Sequence, residues 1–332
     1  MPVPSHARIY RGTPRNLARL ARALQAGEVV GVPTETVYGL AGNALDAAAC
    51  RRIFRAKGRP ANDPLIVHLH SLKQLPEVAQ PNEAALALAQ AFWPGPLTLV
   101  LPKQPIIPDV VSSGLPTVAV RMPSHPLFRR LLKQTALPLA APSANPFGYV
   151  SPTSAAHVVA GLGTKIRHVL DGGPCRIGVE STIVDLRDPR RPRILRPGAI
   201  TRAQIEGVLR RRVAAGKSRS DEHRAQVSPG LLTRHYSPRT PAVLHEEIRP
   251  AAIQRAPKSE AWVFITRPAD VRGKNIFWLD PRGDLRGAAR RLFHVLREVD
   301  AGGFTRVHLE RARGDGLAEA INDRLQRAAA RA

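Results

Sequence analysis

Short apolar runs alternate with amphipathic segments along this chain, and that alternation confines it to an α/β architecture. Runs at Glu28 to Val32, Leu65 to Leu69, Leu97 to Leu101, Thr117 to Met122, Leu137 to Ala141, His168 to Leu170 and Ser181 to Leu186 read as strands. The segments between them carry helix start and stop signals. Thr13-Pro14 supplies an N-cap and a first-turn proline, Leu17, Leu20 and Leu24 share one stripe, and Gly27 closes the helix. Asp46 caps a second helix carrying Ile53 and Phe54, with Gly58 just past its end. Helical segments begin near Ser71 and Asn82, and Thr201 with Gln204 forms a capping-box pattern before Ile205, Val208 and Leu209. One α/β domain is expected over residues 10–206.

From 207 to 241 the apolar periodicity fades and Arg, Lys, Ser and Gly dominate, ending in Ser228-Pro-Gly and His235-Tyr-Ser-Pro. That is linker composition. Strands follow at Ala242 to Leu244, Trp262 to Ile265 and Ile276 to Leu279. A helix carrying Leu285, Leu292, Phe293 and Leu296 comes next, then a strand at Val307-His-Leu and a helix with Leu317, Ile321 and Leu325. Residues 242–332 thus read as a second, smaller α/β domain of Rossmann-like pattern, a division that 332 residues accommodate.

The longest apolar stretch, Leu86 to Leu101, is interrupted by Gln90 and Pro94-Gly95-Pro96 and cannot cross a bilayer as one helix. Met1 to Gly12 lacks the apolar core of a secretory signal, so a cytoplasmic enzyme is expected. Cys50 and Cys175 form neither a CxxC pair nor a disulfide framework and read as packing sulfurs. A net charge of +24 favours polyanionic partners, but an Arg-rich background explains it equally well.

The sequence has no GxxxxGK[ST], no strand-borne GxGxxG, no HExxH and no paired-Cys zinc spacing. The candidate chemistry lies in polar segments at strand ends. Pro33-Thr-Glu-Thr-Val-Tyr-Gly-Leu suits either a pocket loop or a capped helix start. Lys57-Gly-Arg59-Pro, followed by Asp63, suits triphosphate oxygens or a solvated cation pair. In the strand from Thr117 to Met122, Thr117, Ala119 and Arg121 share a face; Arg121 there requires an anionic partner, from a ligand or from an internal Asp or Glu. His68 lies in a strand as a structural or a binding histidine. Ala141-Pro-Ser143-Ala-Asn145-Pro, leading to Ser151, presents a hydroxyl and an amide on a proline-fixed loop. Gly172-Gly-Pro and Gly178-Val-Glu-Ser181-Thr can aim backbone amides at anionic oxygen.

Together these segments resemble the YrdC-type family in its long, threonylcarbamoyl-AMP synthase form. The matching stretches are PTETVYGL at 33–40, KGRP at 57–60, PLIVH at 64–68, WPGPLTLVL at 93–101, TVAVRMPSHP at 117–126, APSAN at 141–145, GVESTIVD at 178–185 and RILRPGAI at 193–200. GLAEAINDRLQRAA near the end resembles the family's smaller C-terminal domain. The resemblance implies a YrdC-like twisted sheet with flanking helices. It implies synthesis of L-threonylcarbamoyl-AMP from L-threonine, bicarbonate or CO2, and ATP with Mg²⁺, for modification of tRNA anticodon loops. Thr36, His68, Arg121, Ala141 and Ser181 match positions that hold threonine. Lys57, Arg59, Asp63, Thr117, Ser143, Ser151, Arg196 and Tyr236 match those around ATP, with Lys57 and Arg59 as electrostatic candidates, no dedicated nucleophile and no protein-held metal. Tyr236 implies that the linker over 207–241 folds across the nucleotide as a lid. tRNA or the threonylcarbamoyl-transfer machinery is the implied macromolecular partner. Three positions depart from the family pattern. Ala41 replaces a common Gly, Asp63 places a carboxylate near the expected phosphates, where it would assist Mg²⁺ or weaken ATP binding, and Ser237 is a change expected to be silent. The alternatives are a non-catalytic RNA-binding module of the same fold and a carbamoyltransferase of hydrogenase-maturation type, whose cysteine-rich zinc region this chain lacks.

Overall fold

The computed structural model describes residues 7–216, 224–230 and 236–330. The chain begins β1 (Arg8–Arg11), α1 (Pro14–Gln25), β2 (Val30–Val32), β3 (Gly39–Asn43), α2 (Ala47–Lys57), β4 (Ile66–His68), α3 (Leu75–Val78), α4 (Glu83–Phe92) and β5 (Leu97–Pro102). It continues α5 (Asp109–Ser112), β6 (Thr117–Arg121), α6 (Pro126–Thr135), β7 (Leu139–Ala140), α7 (Ala155–Leu162), β8 (His168–Asp171), β9 (Thr182–Asp185), β10 (Arg193–Arg196), α8 (Arg202–Leu209) and β11 (Ala214–Ala215). These strands form an eleven-stranded mixed sheet in the order β1-β8-β2-β3-β7-β4-β6-β5-β9-β10-β11.

The local signals act where the sequence puts them. The Thr13 and Asp46 side chains accept from the Asn16 and Ala48 amides, Gly58 closes α2 in the left-handed region, and Thr201 with Gln204 completes a capping box on α8. The period of two in β6 separates two environments. Ala119 packs with Ile66, Val100 and Ile183 on one face, while Val118 and Val120 join Val67, Leu99 and Leu101 in the larger core. Strand β3 carries two glycines and no β-branched residue, so its sequence has no strand signal. It is a strand because β2 and β7 offer ladders on either side. The segment before it, open in sequence between a pocket loop and a helix start, is a turn into that strand. The Ala41 methyl is fully buried in the core with Val30 and Leu139.

The second sheet comprises β12 (Ala242–His245), β13 (Glu260–Thr266), β14 (Ile276–Asp280) and β15 (Arg306–Glu310), with α9 (Pro250–Arg255), α10 (Leu285–Ala301) and α11 (Leu317–Ala328) among them. It is wholly parallel in the order β12-β15-β13-β14, the Rossmann-like pattern expected. The end of α8 and strand β11 fall within the stretch read as linker, and β11 pairs with β10. Residues 217–223 and 231–235 of that stretch lie outside the described residues. Among the described residues no helix is long and apolar enough to cross a membrane. Cys50 and Cys175 are free and buried, and burial pushes the Cys50 thiol up to about 12, as packing sulfurs require.

The core of the second sheet does not end at its own helices. Val37, Val150 and Val179, from three loops of the first sheet, pack with Leu292, Phe293 and Leu296 of α10 and Leu325 of α11. Gly178 makes the closest approach. It sits at φ +85°, and a Cβ there would lie 2.4 Å from the Ala289 carbonyl oxygen and the Arg290 Cα. Gly178→Ala is therefore expected to combine left-handed strain with a backbone clash and to destabilise the chain by about 2–4 kcal/mol. An unchanged denaturation midpoint would refute the close contact.

Candidate active site

A cavity opens over the sheet face that carries Ile66, His68 and Arg121. Its floor is partly strand, not only strand-end loop, because alternate side chains of β4 and β6 point the same way. The register pairs Ile66 with Ala119 and His68 with Arg121. Around this floor stand Thr34, Thr36 and Val37 from the loop before β3, Ala141 to Ser143 after β7, Glu180 and Ser181 before β9, and Arg196 at the end of β10. Pro229, Gly230 and Tyr236 close the remaining side, so the described part of the linker forms cavity wall.

Arg121 is 4% exposed. Its Nη2 donates to Glu35 Oε1 at 2.7 Å, Nη1 to Thr36 Oγ1 at 3.0 Å and Nε to the Gly95 carbonyl at 3.2 Å. The internal carboxylate that the sequence left open thus exists, and three bonds leave two of the five guanidinium N–H donors for the cavity. Burial would push the Glu35 carboxyl up, but Arg121 overrides it and holds the group below its usual range. Thr36 also shares a 2.8 Å hydroxyl bond with Thr34, whose own hydroxyl donates to the Val37 carbonyl at 2.6 Å.

His68 lies with Nδ1 3.1 Å from the Ile66 carbonyl oxygen. Burial, reinforced by the Arg121 charge, lowers its pKa to about 3, so the ring is neutral at pH 7. With Nδ1–H donating, Nε2 is left as an acceptor. Ser181 Oγ shares a 2.7 Å bond with Thr98 Oγ1 and accepts from Arg196 Nη2 at 3.1 Å. Arg196 Nε donates to the Ser181 carbonyl at 3.1 Å, and its Nη1 lies 3.4 Å from both the Tyr236 hydroxyl and the Pro229 carbonyl.

The structure brings Thr36, Arg59, His68, Arg121, Ala141, Ser143, Ser181, Arg196 and Tyr236 to one cavity wall and leaves Lys57, Asp63, Thr117 and Ser151 off it. The amine of Lys57 is buried and donates to the Ser143 and Asn145 carbonyls, both at 2.6 Å, so it holds the Ala141–Asn145 loop rather than facing open space. Asp63 pairs with Arg59 at 2.9 Å, which neutralises the expected stray carboxylate and commits it to a cation. Ser151 Oγ donates to Glu180 Oε1 at 2.5 Å. Ser237, expected to be silent, donates its hydroxyl to the Arg327 carbonyl at 3.1 Å.

Sequence reasoning missed Glu180 and Arg324. Glu180 carries no signal beyond lying between a glycine and two hydroxyls. Arg324 does: it falls on the apolar stripe of α11 with Ala320, Ile321 and Leu325, where a cation requires a buried anion.

Residues 22–198 match the family described as telomere recombination, and residues 200–330 match the one described as threonylcarbamoyl-AMP synthase, C-terminal domain. The threonylcarbamoyl-AMP synthase of Pyrococcus abyssi is 42% identical over 318 residues, covering 92% of this chain and 91% of that protein. The chain belongs to the threonylcarbamoyl-AMP synthase family. The Bacillus subtilis enzyme of that name is 40% identical over 324 residues, covering 94% and 92% of the two chains. The crystal structure of P. abyssi Sua5 complexed with L-threonine superposes with a TM-score of 0.89 at 37% identity, covering 97% of this chain and 98% of that one. The family is one of nucleotidyltransferases, so a non-catalytic RNA-binding module is set aside.

The depressed His68 pKa carries a sign for stability. Below pH 6.5 an unfolded chain protonates this ring and the folded one does not, so stability falls as pH drops from 6.5 toward about 3. His157, lowered to about 4, adds a term of the same sign. His68→Gln is expected to reduce the slope of unfolding free energy by about 0.7 kcal/mol per pH unit at pH 6.5, rising to about 1.4 near pH 5, one proton's worth. Chemical denaturation across that window checks this, and a wild-type slope in the variant would contradict it.

Proposed function

We propose that this cavity joins L-threonine, bicarbonate or CO2, and ATP into L-threonylcarbamoyl-AMP with release of pyrophosphate, for threonylcarbamoyladenosine modification of tRNA anticodon loops. The observation that carries the reading is Arg196. Its guanidinium is 4% exposed and stands on the cavity wall, with no carboxylate in ion-pair contact among the described residues. A buried cation of that kind calls for an anion, and a guanidinium N–H meets a phosphate oxygen in a charge-assisted hydrogen bond.

Threonine fits the other end. The two remaining N–H groups of Arg121 suit its carboxylate, neutral His68 offers Nε2 to its hydroxyl or amine, and Thr36, Ala141 and Ser181 complete a small polar wall. The P. abyssi relative, which binds L-threonine in its crystal structure, supports this placement. ATP lies against Arg59, Ser143, Arg196 and Tyr236. Lys57, Ser151 and Asp63 act from behind, through the Ser143 carbonyl, Glu180 and Arg59 respectively. Thr117 lies on the Arg121 face of β6, about 13 Å away by strand rise. Ile66, Ala119 and Ile183 lie between as an apolar floor for the nucleotide.

In this arrangement the threonine amine adds to CO2 and loses a proton, giving a carbamate. A carbamate oxygen then attacks the α-phosphorus of ATP, and the bond to pyrophosphate breaks. Arg59 and Arg196 stabilise charge on the phosphate oxygens, and the enclosed wall keeps water from the labile carbamate. No side-chain nucleophile is required. Mg²⁺ would enter with ATP on its phosphate oxygens. The charge of +24 is compatible with tRNA, or its transfer machinery, as the partner that takes the product.

Incubation with ATP, Mg²⁺, threonine and bicarbonate should yield pyrophosphate and a threonine-dependent adenylate by mass spectrometry; folded protein that makes neither would overturn the reading. Arg196→Met should raise the ATP requirement by about 2–3 kcal/mol, a fold-change of about 30–150, with threonine dependence far less affected. An unchanged ATP requirement would remove Arg196 from the site.

A further inference from the structure

Arg324 of α11 is 0% exposed, and its bonds converge on the two residues that flank the proposed nucleotide site. Nε donates to Glu180 Oε2 at 2.9 Å, next in sequence to Ser181. Nη1 donates to the Pro197 carbonyl at 2.8 Å, next in sequence to Arg196. Nη1 is also held by Asp323 at 2.8 Å, and Cζ lies 5.3 Å from the centre of the Tyr236 ring. That ring contacts Phe293 of α10 from 5.6 Å, and Tyr236 itself is a non-glycine residue at φ +61°. A strained backbone of that type persists only when its surroundings over-determine it. The other Glu180 oxygen accepts from Ser151. A leucine on the apolar stripe of α11 would serve the fold alone, since a buried ion pair adds little net stability over apolar packing.

We propose that Arg324 is a positioning residue for the nucleotide half of the cavity: it holds Pro197 and the Tyr236 ring, and through them aims Arg196, while Glu180, which it also holds, is fixed from its other side by Ser151. The smaller domain thereby sets the requirement for ATP. This rests on the placement of ATP at Arg196 and Tyr236. The bonds of Arg324 fall on that half, whereas Arg121 and Thr36 are tied to Glu35, Gly95 and Thr34. The requirement for threonine, which Arg324 reaches only through Glu180 and its neighbour Ser181, accordingly depends on it less.

The test uses the full chain as wild type, Arg324→Gln and Arg324→Lys, with pyrophosphate release followed while ATP and threonine are varied separately and thermal melting as the check on folding. Arg324→Gln is expected to raise the KM for ATP about ten-fold or more and the KM for threonine at least about three-fold less than that; Arg324→Lys, which keeps the charge, should recover part of the loss. Should the glutamine variant not fold, the lysine variant is judged by the same split. Unchanged KM values, equal rises in both, a fall in kcat alone, or collapse of both variants would each mark the residue as merely structural and overturn the proposal. A wild-type protein that releases no pyrophosphate would instead defeat the functional reading beneath it.

Discussion

Arg59, Arg121, Arg196 and Arg324 are all sealed from bulk water, and the site is organised by how each charge is answered. Taking a guanidinium out of water costs several kcal/mol unless hydrogen bonds and an anion replace what was lost. Asp63 answers Arg59, Glu35 answers Arg121, and Glu180 answers Arg324. Arg196 is held by carbonyls and hydroxyls, with Glu180 and Asp63 acting on its charge only from beyond ion-pair contact. Lys57 behind the cavity is likewise held by carbonyls, and a buried cation on the wall with no carboxylate in contact suits the proposed polyphosphate site.

The first sheet was largely legible because its strands are rich in Val, Leu and Ile and its helices carry strong end signals at Thr13, Asp46, Asn82 and Thr201. The unreadable parts were those whose conformation is imposed from outside. Gly39–Asn43 is a strand by virtue of its neighbours, and Ala214–Ala215 by pairing with β10. Cavity residues on strands, such as Arg121 and His68, could be recognised because a polar side chain in an apolar run is anomalous on its face. Lys57 could not: its type and spacing suit phosphate equally well, and only the positions of the Ser143 and Asn145 carbonyls show where its amine goes. Glu180 and Arg324 escaped for a related reason. They lie 144 residues apart in sequence, and neither is interpretable without the other.

The formal charge has less bearing on the cavity than its size suggests. The cations that shape the site are few and buried, three of them paired with internal carboxylates, while Arg190, Arg191, Arg211 and Arg290 are exposed. Chemistry at the cavity and attraction to a polyanion at the surface are therefore separable properties of this chain, governed by different arginines and screened differently by salt.

Val37, Val150 and Val179 belong to loops of the larger sheet yet are buried in the core of the smaller one. The boundary between the two sheets is thus a seam in topology but not in cohesion. A fragment ending before β12 would carry these three side chains, with Tyr149 and Ile177 beside them, into water as an apolar scar on the active-site loops. The two sheets must then gain and lose order together. A molecule settling into the cavity would be felt as reduced opening in α10 and α11, helices that need not touch it.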